Sequence, residues 1–181
     1  MPSACFTGHR QLGGEYYDKA TPSTMWLTLK NYMEKVVHDL IHVHKVDHFI
    51  SGLAIGVDML GAETVALVRA FGGPEVKLTG AMPFPSQPNK WPEHTRQRWH
   101  DICGLCNEVV SVSADPYSPA KMQIRNRWMV DNSTYVIAVW NGTTSGGTWN
   151  CMNYAHSTGK PVLAITADPT GWACAWRTTG A

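Results

Sequence analysis

The chain has 181 residues, 44% of them hydrophobic, with 15 basic and 14 acidic side chains and a net charge of +1. This length and composition supply one buried core, so we expect a single domain over residues 1–181, with its core at about 4–165 and a tail at 168–181. The near-zero net charge argues against a partner role that depends on general attraction to nucleic acid.

Apolar runs in this sequence are shorter than the ~18 residues that cross a bilayer, and the N-terminus lacks the pattern of a signal peptide. We therefore expect a cytoplasmic protein with no membrane partner. The five cysteines are typical of reduced, buried thiols. The Cys103 and Cys106 pair and the histidines His38 and His42 lack the further ligands that a zinc site needs, so we predict no metal and no cofactor.

Short β-branched or apolar runs alternate with longer segments of helical period, which is typical of βαβ units and an α/β fold with a mainly parallel sheet. Gly72, Gly73 and Pro74 are expected to end the second helix. In the tail, Trp172 and Trp176 are four residues apart and could form one apolar helical face, packed on the core or used for self-association. The strands are predicted at residues 4–7, 48–51, 76–82, 108–111, 135–140 and 161–165, and the helices at about 21–41, 55–71, 92–103, 120–132 and 147–159.

Three of the predicted strands end in glycine-containing turns, at residues 7–10, 51–58 and 141–148. In an open parallel sheet such turns gather along one edge, where backbone N–H groups and helix N-termini can hold a phosphate. We therefore expect the functional site at that edge, formed by segments that are distant in the sequence.

The last of these turns ends in Gly146, Gly147 and Thr148 at the head of a helix. Glycine lets a ligand approach the backbone closely, and the helix dipole adds partial positive charge, so this turn is a candidate phosphate site. The alternative is a plain strand-to-helix turn in which Thr148 caps the helix.

The turn after the second strand contributes Ser51, Gly52, Gly56 and Asp58. This turn could hold a ligand in the same way, and Asp58 could hydrogen-bond ribose hydroxyls as acidic groups do in dinucleotide sites. The alternative is that Asp58 and Glu63 lie on the exposed face of the helix.

The first strand is followed by Gly8, His9 and Arg10. Arg10 could make a bidentate phosphate contact, and His9 could donate a hydrogen bond or relay a proton near neutral pH. Alternatively, Arg10 forms a salt bridge with a carboxylate such as Glu15.

Two residues farther along the chain complete the candidate ligand-binding set. Only one face of the fourth helix is apolar, so Arg125 and Arg127 cannot both point to the core, and one of them is expected at the cleft. Trp91, beside a proline-rich loop, could stack on a nucleobase or belong to the core.

In combination these motifs resemble the SLOG superfamily, and most closely its YpsA-like (DUF1273-type) branch, which is also common in phage genomes. The resemblance implies a Rossmann-like, three-layer α/β/α sandwich that binds nucleotides or nucleotide-derived ligands at the glycine-rich edge and forms a homo-oligomer. It also favours Arg125 as the arginine at the cleft. The matching motifs run in order along the chain: Thr7-Gly8-His9-Arg10, Ser51-Gly52-Leu53-Ala54-Ile55-Gly56-Val57-Asp58, Pro83-Phe84-Pro85, Lys90-Trp91-Pro92, Arg125-Asn126-Arg127-Trp128-Met129-Val130-Asp131 and Gly146-Gly147-Thr148.

Two more distant relatives imply different activities. LOG-type phosphoribohydrolases, which cleave the bond between a base and ribose 5′-monophosphate, use an arginine resembling Arg125 and a glycine-rich motif that carries a catalytic Glu. This chain has Cys151 at that position, and a thiol is a poor substitute, so Asp58, Glu63 or Asp131 would have to replace the carboxylate. DprA-like proteins share a similar loop after the second strand and bind single-stranded DNA, a role that the near-zero charge argues against.

Other SLOG domains sense signals derived from NAD or ADP-ribose, which needs phosphate and ribose contacts but no general base. The sequence therefore predicts a protein that binds a nucleotide or an ADP-ribose-like ligand and, if it is phage-borne, could sequester a host immune signal in an anti-defence role. The alternative is an N-glycosidic hydrolase of nucleoside monophosphates, with Arg125, Asp58 and Glu63 as candidate catalytic residues. A ligand-free protein-interaction module is the third hypothesis.

Overall fold

A mainly parallel, seven-stranded sheet forms the centre of the computed structural model, which describes residues 1–71 and 75–178. Five helices pack on this sheet, and a two-stranded hairpin stands apart from it. The elements in chain order are β1 (Ser3–Gly8), β2 (Gln11–Leu12), β3 (Glu15–Tyr16), α1 (Thr24–His42), β4 (His48–Ser51), α2 (Val57–Ala70), β5 (Lys77–Met82), α3 (Glu93–Leu105), β6 (Glu108–Ser111), α4 (Pro119–Asp131), β7 (Tyr135–Val139), α5 (Gly146–Ser157), β8 (Val162–Asp168) and β9 (Gly171–Arg177).

The strand order is β6-β5-β4-β1-β7-β8-β9, and every neighbouring pair in this sheet is parallel except β8 and β9. The chain starts in the middle at β1, proceeds through β4 and β5 to the β6 edge, and then crosses to β7 on the other side of β1. Connections therefore diverge beside the carboxyl end of β1, which is where open α/β sheets have their ligand crevice. The predicted α/β class and Rossmann-like sandwich are confirmed.

Two apolar clusters, one on each face of the sheet, produce the three layers. Along β1, Phe6 belongs to the cluster that includes α1 and α2, whereas Cys5 belongs to the cluster that includes α4 and α5. This alternation follows from the strand geometry, in which successive side chains point to opposite faces. On α1 the buried residues recur at helical spacing, and burial of each large apolar side chain contributes about 1.5–3 kcal/mol. They are Trp26, Leu29, Met33, Val36, Val37, Leu40 and Ile41.

The tail is the main difference from the sequence prediction, because Trp172 and Trp176 lie on a strand, β9, and not on a helix. The Trp172 indole N–H donates to the Thr28 hydroxyl of α1 over 3.1 Å. Trp176 contacts the His44 ring, with 5.1 Å between the ring centroids. Residues four apart share a face in a strand as well as in a helix, so the spacing alone did not distinguish the two structures.

Smaller differences concern the ends of elements. Helix α5 has Ser145 as its N-cap and begins at Gly146, so Thr148 is not the cap. The β2–β3 hairpin was not predicted. The predicted end of the second helix at residues 72–74 lies outside the described residues. In the part of the chain that the structure describes, no helix has both the length and the apolar character needed to cross a membrane.

Candidate functional site

A cavity of about 330 Å³, called the edge cavity below, lies at the carboxyl edge of the sheet beside the end of β1. The end of β1, the turn after β4 and the first turn of α5, which follows β7, converge on it, and α4 closes one side. Its lining includes residues 7–10 at the carboxyl end of β1, Ala54 and Asp58 around the start of α2, Arg125 and Asn126 of α4, and Gly147 and Thr148 of α5.

Glycines hold the turns after β1 and β4 against each other. A Cβ atom added to Gly8 would lie 2.6 Å from the Val57 Cβ at the start of α2. Gly56 has a φ of +99°, and a Cβ atom there would lie 2.7 Å from the Arg10 Cα. The Val57 N–H also donates to the His9 carbonyl over 3.2 Å. Close packing of the two turns therefore explains glycine at both positions.

A buried ion pair forms the floor of the edge cavity. Arg125 Nη1 lies 3.5 Å from Asp58 Oδ2, and both side chains are more than nine-tenths buried. The same Nη1 donates to the carbonyl oxygens of Gly52 and Ala81, and Nε donates to Asn126 Oδ1 over 3.1 Å. Arg125 thus connects α4 to the carboxyl ends of β4 and β5.

Gly52 and Ser51 support this ion pair and are not among the residues that line the cavity. A Cβ atom on Gly52 would overlap the Arg125 guanidinium and the Asp58 carboxylate. Ser51 is fully buried, and its hydroxyl donates to the Asp58 carbonyl over 2.6 Å and accepts from the Leu53 N–H over 3.1 Å. Gly52 therefore makes room for the pair, and Ser51 fixes the turn that carries the carboxylate.

Burial controls the charge of the Asp58 carboxyl group. It raises the pKa of Asp58 to about 6, although Arg125, the Ala54 N–H and Arg10 all favour the carboxylate. Burial also lowers the pKa of Arg125. Both shifts mean that the loss of solvation outweighs the attraction within the pair. Asp58 consequently titrates much closer to neutral pH than an exposed aspartate does.

The first turn of α5 borders the edge cavity and has no side-chain cap. Ser145 is the N-cap residue, but its hydroxyl makes no capping hydrogen bond. Gly146 has a φ of +87°, and a Cβ atom on Gly147 would meet no heavy atom within 4 Å. Thr148 is buried and lines the cavity together with Gly147. Backbone N–H groups at such a helix start are suited to receive an anion.

Two side chains from the turn after β1 add polar groups. Arg10 is exposed. Within residues 1–71 and 75–178 it forms an ion pair neither with Glu15 nor with another carboxylate. Burial lowers the pKa of His9, partly offset by a hydrogen bond with Asn141, and so favours its neutral imidazole. With Arg10 and Arg125 against one carboxyl group, the cavity has excess positive charge, which favours an anionic ligand.

Comparison with known proteins identifies the family of this chain. The family model YpsA, described as the YspA SLOG family, matches residues 4–169. The chain belongs to the YpsA SLOG family. The SPbeta prophage-derived protein YoqJ of Bacillus subtilis is 33% identical over 143 residues, which cover 73% of this chain and 82% of YoqJ. The UPF0398 protein BH1768 of Halalkalibacterium halodurans is 27% identical over 119 residues, which cover 65% of this chain and 62% of that protein.

Solved structures of DNA processing protein A (DprA) share the fold of this YpsA-family chain. DprA from Streptococcus pneumoniae superimposes with a TM-score of 0.62 at 18% identity, covering 93% of this chain and 51% of DprA. DprA from Helicobacter pylori gives a TM-score of 0.60 at 18% identity, covering 90% of this chain and 64% of that protein. The YpsA-family chain therefore spans about half of the S. pneumoniae DprA structure and a little under two thirds of the H. pylori one.

In the YpsA-family chain, Trp91 lies in a second cavity of about 420 Å³ that shares Arg10 and Met122 with the edge cavity. Phe84 and Tyr117 also line this second cavity, and their rings meet edge to face with 5.7 Å between centroids. We call it the aromatic cavity. Trp91 is half-buried and stands beside the edge cavity without lining it.

The structure does not bring all the candidate carboxylates together. Glu63 forms a bidentate ion pair with Arg98, with N–O distances of 2.8 and 2.9 Å, and does not line the edge cavity. Asp131 accepts a hydrogen bond from the Tyr154 hydroxyl over 2.9 Å, also away from the cavity lining. Of the three carboxylates considered from the sequence, Asp58 is the one that lines it.

Three residues of α4 line the edge cavity without having been predicted, namely Met122, Gln123 and Asn126. The available signal was helical spacing, since residues three or four apart share a helix face. Met122 is three residues from Arg125 and four from Asn126, and Gln123 is three residues from Asn126. Within the part of the chain that the structure describes, no three His, Cys, Asp or Glu side chains are placed to hold a metal ion.

Proposed function

We propose that this protein binds a nucleotide or an ADP-ribose- or NAD-derived small molecule, with a phosphate in the edge cavity. The observation that carries the proposal is the uncapped first turn of α5, where Gly147 and Thr148 border a cavity that also contains Arg10 and Arg125. Helix N–H groups, the helix dipole and guanidinium groups each favour a phosphate, and here they share one cavity.

The phosphate would lie at α5 and not at α2, although both helices begin near the cavity. At α2, the Val57 N–H is bonded to the His9 carbonyl, and the Met59 N–H is bonded to the Ala54 carbonyl, each over 3.2 Å. Those donors are therefore already used. Arg10 is exposed and can swing to the phosphate, whereas the hydrogen-bonded Arg125 would contribute mainly its charge.

The ribose and the base of a nucleotide would contact groups next to the phosphate. Asp58 lines the edge cavity and can accept a hydrogen bond from a ribose hydroxyl, or donate one when it is protonated. The base would enter the aromatic cavity and stack near Trp91, because that cavity adjoins the first through Arg10 and Met122. The two volumes, about 330 and 420 Å³, are typical of small-molecule sites.

The similarity to the prophage-derived protein YoqJ supports a phage-linked setting for this binding. In that setting the protein would sense or sequester a signalling nucleotide in the host cytoplasm. It would act as a single domain that assembles into a homo-oligomer, as the family resemblance suggests.

N-glycosidic hydrolysis of a nucleoside 5′-monophosphate is the second candidate, favoured by one observation. Asp58 is a buried carboxyl group with a raised pKa at the cavity, which is a frequent property of catalytic acids. Cys151 stands where LOG-type enzymes have their catalytic Glu, and burial raises the pKa of its thiol to about 12. That thiol is too weak an acid for the role, whereas binding alone requires no general acid or base.

Calorimetric titration tests the binding proposal. Wild-type protein is titrated with AMP, ADP, ADP-ribose and NAD, and saturable binding of at least one of them is expected. Arg10→Ala should weaken that binding about ten-fold or more, because a hydrogen bond to a charged group contributes about 1.5–3 kcal/mol. Arg96→Ala, which removes a surface arginine of α3, is the matched control and should leave the affinity as in wild type.

Each of the other hypotheses has its own outcome. Absence of binding by every phosphate-bearing compound would overturn the proposal and favour an interaction module. Binding of oligothymidylate alone would favour single-stranded DNA, the ligand that the H. pylori DprA structure is described as binding. Release of free base from AMP, lost in Asp58→Asn, would favour the hydrolase.

A further inference from the structure

A polar groove of about 430 Å³ lies between α4 and α5. It adjoins the edge cavity, because Gln123 and Asn126 line both. From these residues the groove passes Asn150 and Asn153 on α5. We call it the carboxamide groove, and neither the ribose nor the base contacts proposed above use it.

Carboxamide side chains are concentrated in this groove. The chain has eight Asn and four Gln residues, and four of these twelve line the groove. Of the four, Asn126 alone forms a side-chain hydrogen bond with another described residue, accepting from Arg125 Nε. The side-chain amides of Gln123, Asn150 and Asn153 are thus free to meet a ligand. An ordinary solvent-facing pair of helices would carry charged side chains here, whereas Arg127 is the one charged residue in the lining.

The chemistry of these groups indicates a hydroxyl-rich occupant. A carboxamide both donates and accepts hydrogen bonds, as a sugar hydroxyl does, whereas a carboxylate only accepts and a guanidinium only donates. The Tyr154 ring provides an apolar flank for a sugar, and the Arg127 guanidinium lies over this ring, 5.3 Å from its centroid. The lining has no acidic side chain that would attract a cation.

We propose that the carboxamide groove binds a second sugar, so that the ligand is a nucleoside diphosphate with a sugar on its distal phosphate. This inference rests on the proposed function of the edge cavity. That cavity shares Arg10 and Met122 with the aromatic cavity on one side, and Gln123 and Asn126 with the groove on the other. The three sites in order are thus aromatic, anion-binding and hydroxyl-binding, which matches base, diphosphate and sugar.

The test compares ADP with ADP-ribose, in which the second ribose is esterified to the distal phosphate and removes about one negative charge from it. Wild-type protein should bind ADP-ribose about ten-fold more tightly, the gain expected from about two net hydrogen bonds. The double variant Asn150→Ala/Asn153→Ala should weaken the binding of ADP-ribose about ten-fold more than it weakens the binding of ADP. Both residues are exposed on α5, and alanine has a higher helix propensity than asparagine, so the variant should fold. Asn31→Ala, an exposed asparagine on α1, is the matched control.

The outcomes separate this inference from the proposed function. Equal affinity of the wild-type protein for ADP and ADP-ribose would overturn the second sugar site and leave the edge cavity as a nucleotide site. The same loss for both ligands in the double variant would also overturn it. If neither ligand binds, the second sugar site is refuted, and titration with AMP and NAD then decides whether the edge cavity is a nucleotide site.

Discussion

Replacing Gly147 with alanine is expected to raise the stability of the protein and lower its affinity for a phosphate ligand. Gly147 lies in the first turn of α5 outside the left-handed region, and a Cβ atom there would meet no heavy atom within 4 Å. Alanine at a compatible helical position stabilises by about 0.5–1 kcal/mol, which raises Tm by about 1–4 °C in a domain of this size. A phosphate bound to this turn would meet the new methyl group. Loss of one charge-assisted hydrogen bond then weakens binding about 10- to 100-fold.

Thermal unfolding and calorimetric titration with ADP measure both effects on the same preparation. Gly104→Ala is the matched control, because Gly104 is also helical, in α3, with open space around its Cβ position. That variant should raise Tm by a similar amount without changing the affinity. If Gly147→Ala binds ADP as tightly as wild type, the phosphate does not lie at α5. If Gly147→Ala lowers Tm, alanine does not fit the open surroundings of Gly147 as expected.

Three further predictions follow from the ion pair and the aromatic cavity. Gly52→Ala should lower the free energy of unfolding by about 3–5 kcal/mol in urea titrations, because the methyl group displaces the buried pair of Arg125 and Asp58. A loss under about 1 kcal/mol would contradict this packing. The Asp58 pKa rises from 3.8 to about 6 on folding, so the folded state binds the proton more readily. The stability of wild type relative to Asp58→Asn should therefore fall by about 2.4 kcal/mol as the pH rises from 4 to 7. A pH-independent difference between the free energies of unfolding of the two proteins would refute this. Trp91→Ala should weaken the binding of AMP about ten-fold through lost stacking, and the affinity for ribose 5-phosphate should stay near that of wild type. Equal losses of affinity for the two ligands would place the base elsewhere.

The strands of the central sheet could be predicted because parallel strands buried on both faces are short apolar runs bounded by polar or glycine residues. Strand β4 occurs at the predicted residues, and β7 differs by one. Strand β9 was missed for the opposite reason, since most of its residues are exposed and its sequence shows no alternation of apolar and polar side chains. Trp172 is anchored by Thr28, a contact between residues that are 144 positions apart.

The convergence of the three turns at the edge cavity could also be predicted, because the carboxyl ends of neighbouring parallel strands meet at one edge. The different roles of the glycines could not be predicted from the sequence. Gly52 and Gly147 both occur in strand-to-helix connections, yet the first lies against Arg125 and the second faces open space. Asp58 and Glu63 are five residues apart on α2, which separates them by ~140° around the helix. Helix geometry thus allows one of them at the cavity, but only the packed structure selects Asp58.

The interlocked turns have a consequence for when the protein becomes able to bind. The edge cavity requires segments from residue 7 to residue 148, and the last of its components is the first turn of α5. A nascent chain that has emerged only as far as β7 can place Arg125 but has no α5 donors. The proposed binding site would therefore be complete only after α5 has been synthesised, and a captured ligand would hold segments from residue 7 to residue 148 together and slow the degradation of the protein.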